Sequence, residues 1–362
     1  MSRQLNSPVG TALGHHVHHD ELHGAMSLAV PLLQVFPLGL VIFIAVSAAA
    51  AAWVAQDARA RFAGGPGEGW VWAVGTLVAL PIFLPLYLIA ARPVGSVTVC
   101  PSCGRGTLGH RATCLHCGHP ITFEAFPDTW GLGEVVGVAV VFMVSLPVIA
   151  QAVGVEEMPT LAELSTFAVA QNMLFLALAA YVARVRYRRP LTELGLRGDR
   201  WAWRAAGGII VGSVTIPLSA ASEQLAVRLI GMVVGPQRAE AMAAAEHAND
   251  VLVRLLQTQL STLELAWIVI LVGVIVPLGE EVFFRGFVYG TLRRWGVLPG
   301  VVLSAIYFGA VHQQIVHLLP IIVLGIVLAL LYERTGSLVP SIAVHGINNV
   351  VAILSILYGW NI

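Results

Sequence analysis

The sequence predicts an all-α polytopic membrane protein of about eight to nine transmembrane helices, with a small zinc-ribbon insertion expected on the cytoplasmic side. Three observations lead there. Of 362 residues 57% are hydrophobic and only 11% charged, with a mean hydropathy of +0.81, which is too apolar for an ordinary soluble domain. Apolar runs recur at about 20 residues, the length that crosses ~30 Å of hydrocarbon. All four cysteines fall in one polar interruption of that pattern. The 20 basic residues, every one an arginine, balance 20 acidic ones, so charge gives no reason to expect a nucleic-acid partner; the expected surroundings are the lipid bilayer.

Residues 1–31 read as a solvated, flexible His-rich tail, with His15, His16, His18, His19 and His23. Met1 to Gly24 lacks a basic-then-apolar pattern, so the first span is expected to act as an uncleaved anchor. The candidate spans are Leu32–Val54, Val71–Ala91, Leu132–Val153, Phe167–Val185, Ala205–Ala221, Leu263–Phe287, Val301–Val311, Ile315–Tyr332 and Val339–Tyr358. They divide the chain into two helices over 32–91, an insertion over 97–122, a hairpin over 132–185 and a C-terminal region over 191–362.

The insertion carries Cys100-Pro-Ser-Cys103 and Cys114-Leu-His-Cys117, with ten residues between the pairs. Each CxxC can form a knuckle that puts two thiolates on one side of a turn, and Gly104 and Gly118 follow where the chain must bend back. Four soft ligands without an open position describe a structural zinc site. Two disulfides in an exported loop are the alternative.

Arg184, Arg186, Arg188, Arg189, Arg197, Arg200 and Arg204 cluster two spans after the insertion, and positive loops stay inside. The insertion and this cluster are therefore expected in the cytoplasm and Val155–Thr160 outside. The same count places Arg293, Arg294 and Arg334 inside but Arg59 and Arg61 outside, which runs against the rule. Between Ile230 and Thr262 the chain turns polar and Ala-rich, with charges spaced for an amphipathic helix at the outer interface or a solvated connection.

The most informative stretch is Leu278-Gly-Glu-Glu-Val-Phe-Phe-Arg-Gly286, which places three ionisable groups inside an apolar run. Each costs ~2.5–3.5 kcal/mol at the bilayer centre, so such residues mark function or pair with one another. Glu281 and Arg285 are four apart and can pair on one helix face. Glu280, turned by roughly 100°, is left over as a candidate general base. His312 follows in Phe308-Gly-Ala-Val-His312, and His345 and Asn349 share a face of the last span. Counted from the span boundaries, Glu280, His312 and His345 all lie on the order of 8–21 Å deep. His317 and Asn348 read as structural or pore-lining.

The set GEEVFFRG, FGAVH and HGINN resembles the motifs EExxxR, FxxxH and HxxxN of the CAAX-protease and bacteriocin-processing (CPBP/Abi) family, over a motif core of 263–358. The run Leu191-Thr-Glu-Leu-Gly-Leu-Arg197 followed by Trp201 resembles the stretch that often precedes that core. The resemblance implies an intramembrane glutamic endopeptidase acting on a membrane-associated protein or peptide, with no metal at its active site. By the same resemblance Glu280 activates water, His312 helps hold it, His345 and Asn349 stabilise the oxyanion, and Glu281, Arg285 and Phe308 shape the site or hold substrate. The first ~190 residues, ribbon included, lie outside the resemblance.

Two other readings use the same residues: a zinc peptidase with Glu280, His312 and His345 as ligands, and a non-hydrolytic scaffold or transport protein. HExxH is absent and no paired repeat is visible, which weighs against both. The Lys-free, Ala- and Arg-rich composition points to a bacterial protein of the inner membrane. Nothing in the sequence selects the substrate.

Overall fold

The computed structural model describes residues 43–62, 66–121, 129–154 and 159–360. The His-rich tail, the first part of the first span and most of Val155–Thr160 lie outside them. The protein is an all-α polytopic membrane protein. Among the described residues six helices are long and apolar enough to cross a bilayer: α4 (Leu132–Val153), α5 (Leu161–Arg186), α6 (Trp201–Val234), α9 (Thr262–Trp295), α11 (Leu318–Thr335) and α12 (Val339–Tyr358). Residues 43–61 form the helix α1, and three shorter apolar helices are α2 (Pro66–Val78), α3 (Leu80–Ala91) and α10 (Val297–Ala310).

Local chemistry sets the helix starts. The hydroxyls of Thr160 and Ser261 accept from the backbone N–H of Glu163 and Glu264, whose carboxylates accept from the backbone N–H of Thr160 and Ser261 in return. Each pair of bonds satisfies donors that α5 and α9 would otherwise leave open. Glu134 does the same for the Gly131 N–H at the start of α4. At about 1.5 Å per residue, a 34-residue helix such as α6 or α9 runs well past ~30 Å of hydrocarbon. The expected span Ala205–Ala221 is only the most apolar stretch of α6. The polar segment after it folds as α7 (Pro236–Asn249) and α8 (Val251–Leu256).

The expected single span Val71–Ala91 is instead two helices broken at Ala79. Pro81 and Pro85 stand in the second half, and proline removes a donor from the helical ladder. The halves fold onto each other, with Trp72 against Phe83, and an added Cβ at Gly75 would lie 2.1 Å from the Phe83 ring. This fold-back brings α1 and α3 to one end of the bundle. Arg61 donates from Nη1 to the carbonyls of Pro93 (2.9 Å) and Gly95 (2.7 Å), at the foot of the cysteine insertion. Arg61 therefore lies at the same end as the insertion, not across the bundle from it as the span count has it.

Further arginines gather there. Arg92 pairs with Asp57 at 2.7 Å, Arg186 with Glu134 at 3.3 Å, and Arg294 donates to the carbonyl of Trp130. The opposite end carries the two Ser/Thr–Glu capping boxes and α7.

Backbone approach sets how deeply α9 is embedded. A Cβ at Gly346 would sit 2.1 Å from the Gly273 carbonyl, so α12 and α9 touch main chain to main chain. A Cβ at Gly286 would meet the Leu194 carbonyl at 2.4 Å, which admits the turn Leu191–Leu194 against α9. Around this contact a cluster of aromatic rings fills the core, with Phe142 on Phe175 (4.0 Å between centroids) and Phe175 on Phe283 (4.4 Å).

Candidate functional site

The carboxylates sit in the middle of α9, flanked by two π-helical stretches, Leu271–Ile275 and Val282–Tyr289. Such insertions leave backbone carbonyls with altered partners and are frequent at functional sites. Glu281 is fully enclosed and Arg285 is 2% exposed, and they pair at 2.8 Å along one turn. His345 of α12 donates from Nδ1 to the same Glu281 oxygen at 2.9 Å. Its Nε2 faces Glu280 Oε2 at 3.6 Å, beyond direct hydrogen-bond range but within reach of a bridging water.

Glu281 thus fixes the imidazole from behind and turns its other nitrogen toward Glu280. Among the described residues, Glu280 Oε2, Glu281 Oε2 and Arg285 Nη2 are buried without a hydrogen-bond partner, so three polar atoms converge with bonding capacity to spare. The Phe308 ring closes the cluster. The Arg285 guanidinium stands 4.2 Å from its centroid, and His345 meets the ring edge-on at 5.7 Å.

His312 and Asn349 sit at the margin of this group. His312 lies just past the end of α10, exposed, donating from Nδ1 to the Phe308 carbonyl at 2.7 Å and touching that ring at 4.9 Å. Asn349 donates from Nδ2 to the carbonyl of Val272 at 3.0 Å, in the first π-helical stretch. A primary amide carries two N–H donors, so one remains. Asn348 points away, onto Thr215 Oγ1 at 2.6 Å.

Two polar features here escape sequence reading. Asn172 of α5 is 1% exposed, and its Oδ1, without a partner among the described residues, lies against Gly279, next to Glu280. Its signal was available: the adjacent amides Gln171 and Asn172 interrupt an apolar run. Glu246 of α7 accepts from the backbone N–H of Ile315, Val316 and His317 at 2.9–3.0 Å and from His317 Nδ1 at 2.7 Å. Partial burial works against its ionisation, but these donors outweigh it and hold the carboxyl below its ordinary range. Glu246 thereby pins the loop that follows His312. A cavity of about 650 Å³ opens beside that loop, walled by Glu223, Glu246, Asp250, His317 and Asn348; neither Glu280 nor His345 lines it.

The four cysteines form a separate centre. Strands β1 (Val97–Val99) and β2 (Gly106–Leu108) pair antiparallel and bring the two knuckles together, with all four Sγ atoms within 4.8 Å of one another. The Cys100–Cys117 and Cys103–Cys114 sulfurs are each 3.7 Å apart. A zinc ion bonded at ~2.3 Å to four thiolates in a tetrahedron requires sulfur separations of about 3.8 Å, so the residues fit that ion.

Residues 262–351 match the family described as type II CAAX prenyl endopeptidase Rce1-like, which covers Glu280, Glu281, Arg285, His312, His345 and Asn349 and leaves out the cysteine centre. The chain is also 30% identical over 76 residues to the UPF0177 protein YxdF of Lactococcus lactis subsp. lactis (strain IL1403). That match covers 21% of this chain and 42% of the relative's length. No solved structure matches. Residues 262–351, about a quarter of the chain, are thus similar to the Rce1-like family of type II CAAX prenyl endopeptidases.

Proposed function

We propose that the protein is an intramembrane endopeptidase that hydrolyses a peptide bond of a membrane-associated protein or peptide with a glutamate-activated water. The observation that carries this reading is the His345 imidazole held between Glu281 and Glu280 in a buried, polar-rich cluster. Glu280 takes the water's proton as its oxygen attacks the scissile carbonyl, and returns that proton to the leaving amine. The second N–H of Asn349 donates to the oxygen that gains charge, as does His345 Nε2–H when the imidazole carries a proton on both nitrogens. Arg285 pairs with Glu281 at 2.8 Å and so fixes the carboxylate that orients the imidazole. His312 is assigned to the water's other side. Its present bond to the Phe308 carbonyl is of the kind that reorganises in a substrate complex, where catalytic hydrogen bonds tighten.

Comparing the termini of membrane proteins by mass spectrometry between wild type and a Glu280→Gln strain tests this reading. New termini present only in the wild type identify the substrate. Identical sets of termini would exclude proteolysis by this site.

The cysteine centre is assigned one structural zinc ion, remote from the chemistry. Purified protein is expected to hold one zinc per chain, and a Cys103→Ser/Cys117→Ser variant to hold almost none. Unchanged zinc content in that variant would overturn the assignment.

The arginine-rich end, with the ribbon, is assigned to the cytoplasm of a bacterial inner membrane. A cysteine placed at position 157 of a Cys-free background is expected to react with an impermeant reagent added outside, and one at 199 to stay protected. The reverse pattern would invert the topology.

A further inference from the structure

The π-helical segment Val282–Tyr289 lies between two anchors on α9. Upstream, Glu281 is bound to His345 on α12. Downstream, Tyr289 and Arg293 both donate to Glu333 on α11, at 2.7 and 2.6 Å. Within the segment Gly290 N–H reaches back five residues to the Arg285 carbonyl. That extra residue per turn shifts the phase of everything upstream by roughly 100° relative to everything downstream. In an ordinary α register the two anchors could not both be met. The π register is locally disfavoured, so its neighbours must hold it.

One residue does so from two sides. Trp130, 2% exposed, donates from Nε1 to the Phe287 carbonyl at 3.2 Å, stacks its ring on Phe287 at 5.4 Å between centroids, and accepts at its own carbonyl from Arg294. The Phe287 carbonyl also accepts from the Thr291 hydroxyl at 2.9 Å, and Arg294 Nε donates to the Thr291 carbonyl at 2.9 Å. Trp130 stands 157 residues from Phe287, outside the stretch that matches the family. It precedes α4, whose Glu134 is tied to Arg186 and Tyr187 of the α5 segment.

Resting on the peptidase reading, we infer that Trp130 is a positioning residue for catalysis: its indole N–H holds α9 in the π register that aligns Glu280 and Glu281 with His345. The N-terminal half of the chain thereby completes an active site whose reacting groups all lie in the C-terminal domain.

The test is Trp130→Phe, which keeps the stacked ring and removes the N–H, alongside Trp130→Ala, which removes both. Hydrogen exchange of the backbone amides over residues 286–291 reads the register directly. Cleavage of the fastest-cut member of a library of internally quenched peptides, in detergent micelles, reads its consequence. Trp130→Phe is expected to unfold at nearly the wild-type temperature, to exchange those amides roughly tenfold faster, and to lose roughly 10–100-fold in kcat with KM little changed. Trp130→Ala should lose stability as well. Wild-type exchange over 286–291 in Trp130→Phe would overturn the inference even if no library peptide is cut. Wild-type kcat in Trp130→Phe would overturn it while Glu280→Gln is inactive, whereas an active Glu280→Gln would fault the peptidase reading itself.

Discussion

Glu280→Gln is expected to abolish cleavage, with a loss of at least the roughly 10²–10⁴-fold that general-base catalysis supplies. The amide keeps the shape of the carboxyl group but cannot take the water's proton. Among the described residues Glu280 forms no ion pair with an arginine, and the His345 nitrogen it faces is 3.6 Å away, so its replacement breaks no close ion pair. The variant is therefore expected to insert, purify and unfold like wild type. Activity measured on purified protein against thermal unfolding in the same detergent checks both halves. Loss of folding together with activity would make Glu280 a structural residue.

Glu281→Ala should act in the opposite manner, damaging the fold before the chemistry is in question. Arg285 is enclosed, and Glu281 accepts from it at 2.8 Å and from His345 at 2.9 Å. Removing one member of a buried pair leaves an uncompensated charge and costs about 3–5 kcal/mol, a large fraction of the stability of most domains. The variant is expected to accumulate poorly and to aggregate on extraction. The paired substitution Glu281→Gln/Arg285→Met removes both charges and should recover much of the folded yield. It should not recover cleavage, because the His345 ring loses the carboxylate that orients it. A well-folded Glu281→Ala, read from yield and unfolding temperature, would contradict this account of the pair.

The parts of this molecule written in local sequence were the ones that could be read. Apolar runs reveal α4, α11 and α12 because length and composition alone decide whether a helix suits the bilayer. Glu281 and Arg285 were legible as a pair because four residues make one helical turn. The two CxxC knuckles were legible because a tetrahedral ion dictates the spacing of its ligands.

What stayed hidden depends on distance or on small departures from regularity. The break at Ala79 leaves hydropathy unchanged, so a single span was expected where two helices fold back; that error displaced Arg61 to the wrong end of the bundle. The π-helical stretches around Glu280 have no compositional mark. Glu246 holds residues 315–317 from about 70 positions away, inside a connection to which the sequence assigned no chemistry. The contact of His345 with Glu281 spans 64 residues, and only the comparable depth of His345 and the neighbouring Glu280 in their helices hints at it.

A carboxylate base and a catalytic metal are separated most directly by following cleavage of one identified substrate while metal is removed. The purified Cys103→Ser/Cys117→Ser protein, freed of ribbon zinc and treated with a chelator, is expected to cleave at a rate close to that of its untreated form, and the same protein carrying Glu280→Gln not at all. Loss of cleavage on chelation with full recovery on adding zinc would contradict a glutamate-activated water and place a metal at Glu280, His312 and His345.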